Sequence, residues 1–175
     1  MKKNIKISKL DASKRQLECA ISIYFNDGEP VSIHTLSAAA YNILRALNGE
    51  KVWMSKDRIT DYVKKGREKD ARDALNKIEN FFKHADRDPD NILDFNPEAN
   101  EFMIWEACIV YKELTGEYPD KMKIYNIWFK NKYNHLFISM DEQKQMAERI
   151  KAVMQNISKQ EFYRLALLSL NQINT

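Results

Sequence analysis

The chain has 175 residues, a formal net charge of +3, and only four glycines and four prolines. With 44% hydrophobic and 30% charged residues, it can bury a core, and its length suits one domain. So few turn residues exclude an all-β sandwich or barrel, and so small a charge gives no electrostatic argument for nucleic acid.

Caps and apolar periodicity predict about eight helices and no strand. The first runs from Lys9 to Asn26, with Leu10, Leu17, Ile21, Tyr24 and Phe25 on one face. Ala12, Cys19 and Ile23 lie on the other side, which implies burial of more than one face. "DGEP" then turns the chain. The second helix, "VSIHTLSAAAYNILRALNG", takes Ser32 as N-cap and stops at Gly49. Its core stripe is Ile33, Leu36, Ala40, Ile43, Leu44 and Leu47. A short third helix is expected from Lys56 to Val63, and a fourth from Arg67 to Ala85 with Ala71, Ala74, Leu75, Ile78, Phe81, Phe82 and Ala85 inward.

An acidic loop follows, from Asp86 to about Asn96. Asn96 and Pro97 read as N-cap and first helical residue of the fifth helix, which carries Phe102, Ile104, Trp105, Cys108, Ile109 and Leu114. Pro119 opens the sixth, "DKMKIYNIWFKNKY", whose Ile124, Ile127 and Trp128 are core positions. The seventh begins at Ser139 and the eighth at Ser158, each with a Glu three residues on, the spacing of a capping box. The expectation is a single all-α domain over 1–175, a multi-helix bundle.

Cys19 and Cys108 are far apart in apolar helical runs, so both are expected as reduced core thiols. With no apolar leader and no run of eighteen apolar residues, a cytoplasmic chain without a membrane span is expected. Broad apolar coverage of the first helix and three tryptophans suit a homodimer. The sequence holds no GxGxxG, GxxxxGK, HExxH or GxSxG, so no cofactor is expected.

Chemistry-bearing residues gather in "ENFFKHADRDPDN", residues 79–91. Pro89 disfavours helical geometry at Asp88, so the fourth helix should stop by Arg87. Its last turn then sets Lys83, His84 and Arg87 beside the negative end of the helix dipole, and Asp88-Pro89-Asp90-Asn91 matches a type I turn. Asp86, Asp88, Asp90 and Asp94 fall at alternating positions of a calcium-loop pattern, but Asn91 and Pro97 stand where that pattern needs Gly and Glu. Asn80 and His84 share a helix face, and Asn131 and His135 repeat that spacing. In the second helix, His34 is expected in the first turn, in line with Ala38, Tyr41 and Arg45, at a pocket edge that could take an anion.

Two resemblances follow from these residues. Asn80-x-x-x-His84 is similar to the Arg-Asn-x-x-x-His signature of HEPN ribonucleases, small helical proteins in which a histidine moves the proton of the attacking 2′-hydroxyl and an arginine holds the phosphate. Here Glu79 occupies the arginine position. "RQLECAISIYFNDGEPVSIHTLSAAAYNILRAL" (15–47) together with "NFFKHADRDPD" (80–90) resembles a family of small uncharacterised bacterial proteins in which a PVSIHTL-type segment precedes an NFFKHAD-type segment. That resemblance implies one helical unit and marks Ser32, His34, Thr35, Asn80, Lys83, His84 and Asp86 as site positions.

The function expected is a binding or regulatory module with a polar pocket around His34 and His84, serving a protein or small-anion partner. The alternatives are a HEPN-like ribonuclease, which would make nucleic acid the partner, and an enzyme using a metal in the acidic loop 86–94.

Overall fold

The computed structural model describes residues 4–49, 68–84, 86, 88–134, 152, 154 and 156–173. Six helices are bounded within them: α1 (Lys9–Phe25), α2 (Pro30–Leu47), α3 (Glu68–Lys83), α4 (Ala99–Thr115), α5 (Asp120–Lys132) and α6 (Lys159–Ile173), and no strand occurs among the described residues. The expectation of about eight helices is not matched; the segments expected as the third and seventh lie outside the described residues. No described helix is long and apolar enough to cross a membrane.

The termini follow local chemistry. Ser8 and Asp11 close a capping box on α1, each side chain accepting the other's backbone N–H at 3.0 and 3.2 Å. α2 starts earlier than the sequence suggested. Pro30 is its first residue and Glu29 its N-cap, with the Glu29 carboxylate accepting the Ser32 N–H at 2.8 Å; Ser32 is therefore inside the helix, because proline's fixed φ suits the first position. α4 begins at Ala99 rather than Pro97, and Asn96 accepts the Glu98 N–H at 3.0 Å in the turn before it. Ser158 caps α6 by accepting the Glu161 N–H, but Glu161 turns to Arg164 instead of back to Ser158, so only half of the expected box forms.

α1, α2 and α4 make the body of the bundle. α5 packs on α1 and α4, α6 on α1 and α5, and α3 on α2. α4 is central: Met103 to Tyr111 are all buried, as are Asn100 and Glu101. Such a helix is wrapped on all sides, which is why no single apolar stripe marks it. Aromatic pairs fill the space between helices. Phe25 stacks on Tyr163 at 4.5 Å and Trp105 on Phe129 at 4.8 Å, each pair adding roughly 0.5–1.5 kcal/mol beyond burial. Between α1 and α2, Gly28 is required for space: a Cβ there would clash with the Ile23 side chain.

Two core expectations fail. Leu47 is exposed because it is the last residue of α2, beyond the body. Cys19 is also exposed, on the face of α1 opposite Leu17 and Ile21, whereas Cys108 is buried and burial pushes its thiol well above the ordinary value.

One polar knot ties α1, α4 and α5 together. The buried Glu101 carboxylate accepts from Tyr24 (2.8 Å), Tyr133 (2.7 Å) and the Lys132 ammonium (2.6 and 2.8 Å). Tyr125 donates to the Glu101 backbone carbonyl at 3.0 Å. A buried carboxylate without such donors would be costly. Burial, with the Glu101 charge beside it, pushes both the Tyr24 and Tyr133 phenols above their ordinary value, so they remain donors at any physiological pH. Lys132 also lies over the Trp128 ring at 5.1 Å.

Tyr24→Phe removes one donor to a charged acceptor and is expected to cost about 1.5–3 kcal/mol. Glu101→Ala leaves three donors without their acceptor and is expected to cost more, about 3–5 kcal/mol. Urea denaturation of the two variants checks both values and their order.

Candidate functional site

His34 is fully buried in the second turn of α2. Its surroundings fix its chemistry. Asn100 at the start of α4 donates from Nδ2 to the Pro30 carbonyl at 2.9 Å, so its Oδ1 is the atom facing His34 Nδ1, at 3.0 Å. An amide oxygen only accepts, hence Nδ1 carries the proton and Nε2 is a lone pair. That Nε2 is buried and has no hydrogen-bond partner among the described residues. The rings of Phe82 (5.5 Å) and Phe95 (5.7 Å) meet the imidazole edge-to-face, and they meet each other at 5.2 Å.

His34 is therefore not at an open pocket edge, and its expected neighbour Tyr41 is buried too. The helix dipole does not govern it either, because α2 begins four residues upstream at Pro30. Burial is what lowers its pKa, helped by the Lys83 charge and opposed by the Asn100 hydrogen bond and the Glu79 charge.

Phe82 and Phe95 bring two segments to His34: the last turn of α3 and the end of the acidic loop. Glu79 adds a second attachment, accepting from Asn42 of α2 and from Lys83 one turn on. The sequence position that would hold a phosphate-binding arginine in the ribonuclease signature is thus occupied by a carboxylate already paired.

Just past α3, the His84 N–H bonds the Asn80 carbonyl at 3.0 Å and completes one more helical turn. Its side chain is 46% exposed, with Nδ1 at 3.8 Å from the Asp86 carboxylate, too long for a hydrogen bond. The expected turn follows: the Asn91 N–H bonds the Asp88 carbonyl at 3.0 Å, and Asn91 Nδ2 donates to the Asp88 carboxylate at 3.0 Å. Between this turn and α3 lies a cleft of about 350 Å³ lined by Asp73, Asn76, Lys77, Asn80, Phe81, His84, Asp88 and Asn91.

The sequence-derived positions separate into groups. Asn80 and His84 line this cleft. His34 lies outside its lining, among Phe82, Phe95 and Asn100. Lys83 pairs with Glu79, and the exposed Thr35 donates back to the Val31 carbonyl at 2.8 Å, an ordinary bond within α2. Asp86, Asp88, Asp90 and Asp94 are all exposed, and among the described residues no three His, Cys, Asp or Glu side chains come together as a metal site. Asn131 donates to the Ile127 carbonyl, and His135 lies outside the described residues.

Asp73, Asn76 and Lys77 were missed as site residues because the sequence drew attention only to the cluster at 79–91. A signal was present: 73, 76, 77, 80, 81 and 84 recur at the three- and four-residue spacing of one helix side. Comparison with protein-family models, with curated proteins and with solved structures gave no match.

A lowered folded-state pKa makes His34 a source of acid sensitivity. Around the ordinary value of 6.5 the unfolded chain takes up the proton more readily than the folded one. Stability contributed by the neutral ring is therefore intact above about pH 6.5 and falls as pH drops through that value toward the folded pKa. Urea midpoints measured between pH 7.5 and 5 are expected to fall more steeply for the wild type than for His34→Gln. Equal slopes would contradict the assignment.

Proposed function

We propose that the chain is a binding or regulatory module, without catalysis of its own, whose ligand surface is the cleft at the end of α3. His84 stands at the cleft and His34 is the buried post behind it. The observation that carries this reading is the division of labour along α3. Phe82 and Glu79 attach the helix to α2, while Asn76, Asn80 and His84 project on the cleft side with none of their side chains hydrogen-bonded within the described protein. A cleft of about 350 Å³ is of small-molecule size.

The cleft's charge bears on the kind of ligand. It sets one lysine, Lys77, against two aspartates, Asp73 and Asp88, and it lies at the carbonyl end of α3, where the dipole is negative. Both features favour a neutral or cationic ligand over the small anion that the sequence alone suggested. They also weigh against the ribonuclease alternative. Asn80 and His84 do share the cleft, as that chemistry would need, but the two aspartates oppose a phosphodiester, and Glu79 supplies no cation in the arginine's place.

A thermal-shift screen of nucleosides, amino acids, amines, metal ions and RNA tests the reading. A ligand present at a hundred times its Kd stabilises by about 2.7 kcal/mol, which for a chain of this length raises Tm by about 5–10 °C. His84→Ala is expected to remove the ligand's shift while leaving the unliganded Tm nearly unchanged, since the His84 side chain is half-exposed. A screen with no shift, or one that persists in His84→Ala, contradicts the proposal.

A further inference from the structure

The cleft's two unengaged carboxamides, Asn76 and Asn80, are one helical turn apart on α3, next to Phe81 and His84. The third asparagine of the cleft, Asn91, is already committed: its Nδ2 donates to Asp88 and its Oδ1 accepts the Ile92 N–H at 2.9 Å. The carboxamides of Asn76 and Asn80 therefore remain as the uncharged amide groups of the α3 wall, each offering a donor beside an acceptor in one plane. Phe81 is half-buried, with its ring 5.9 Å from Phe82, and adds an apolar wall; the half-exposed His84 adds a second flat ring.

Resting on the binding-module reading, we propose that this cleft recognises an uncharged nucleobase, carried as a nucleoside rather than a nucleotide. A carboxamide pairs in two-point fashion with a base edge that places an acceptor next to an amino or imino donor, as adenine does with N7 and N6. Every base has a π-face that an aromatic side chain can cover without regard to sequence. Phosphate is disfavoured, because Asp73 and Asp88 outnumber Lys77 and the α3 carbonyl end adds negative potential. A cleft of about 350 Å³ suits one base with its ribose better than a strand.

Titration of the full chain with adenosine, guanosine, cytidine and uridine, each beside its 5′-monophosphate, tests the proposal by isothermal calorimetry and by the His84 ring resonances. At least one nucleoside is expected to bind, more tightly than its monophosphate at low salt, with the gap narrowing as salt is added. Asn80→Asp keeps the side-chain shape but replaces the donor with a second acceptor, and is expected to weaken that nucleoside about tenfold. The proposal is overturned if no nucleoside binds at about 10 mM, if a monophosphate binds more tightly than its nucleoside, or if Asn80→Asp leaves affinity unchanged. Its failure is distinct from failure of the wider reading. An amine or amino acid whose shift depends on His84, with nucleosides silent, removes the base and keeps the binding cleft. Silence from every class in the screen removes both.

Discussion

Two consecutive side chains in the first turn of α4 hold the described bundle together. Asn100 reaches α2, bonding His34 and the Pro30 carbonyl, while Glu101 reaches α1 and α5 through Tyr24, Lys132 and Tyr133. Adjacent residues on a helix point about 100° apart, so one turn can address neighbours on different sides. Both are buried and polar, which makes their partners obligatory: leaving a buried polar group unpaired costs more than the bond contributes when made. The aromatic packing around them is broad and adaptable, whereas these bonds admit one arrangement of α1, α2, α4 and α5.

That arrangement determines what α3 rests on. Among the described helices it packs on α2, and two of its attachments, Phe82 on His34 and Glu79 on Asn42, depend on where α2 stands. Asn100 fixes the imidazole's orientation and tautomer, the imidazole seats Phe82 and Phe95, and those rings hold the acidic loop near the end of α3. The cleft is therefore built from the core outward, though none of its lining residues belongs to the core.

The helical class was legible in the sequence because scarce Gly and Pro, the capping-box spacing at Ser158, and Gly49 as a stop are all local signals. The turn at Asp88-Pro89-Asp90-Asn91 was legible for the same reason: proline constrains its neighbour whatever the tertiary context. The Glu101 knot was not. Glu101 lies in a helix's first turn, where an acid is ordinary, and only the approach of Tyr24, from 77 residues away, turns that position into a buried junction. His34 was marked by the sequence, but its burial was not, since Phe82 and Phe95 reach it from other elements. Ser32 was misjudged as a cap because Glu29 and Pro30 together make an equally good start that the hydroxyl pattern obscures.

The two marked histidines illustrate how one residue type divides between the core and a cleft surface. His34 has a single tautomer, a fixed partner and no exposure, so whatever reaches the surface cannot meet it without opening the core. His84 has a solvated ring, and its backbone, not its side chain, completes the helix. A substitution at position 34 would therefore act on the cleft through the seating of α3 and change stability with it. On the proposed reading, one at position 84 would act on binding with little change in stability. Both histidines serve the same feature, the first by placing the wall and the second by being part of it. Their shared bearing on the cleft thus requires no contact between them.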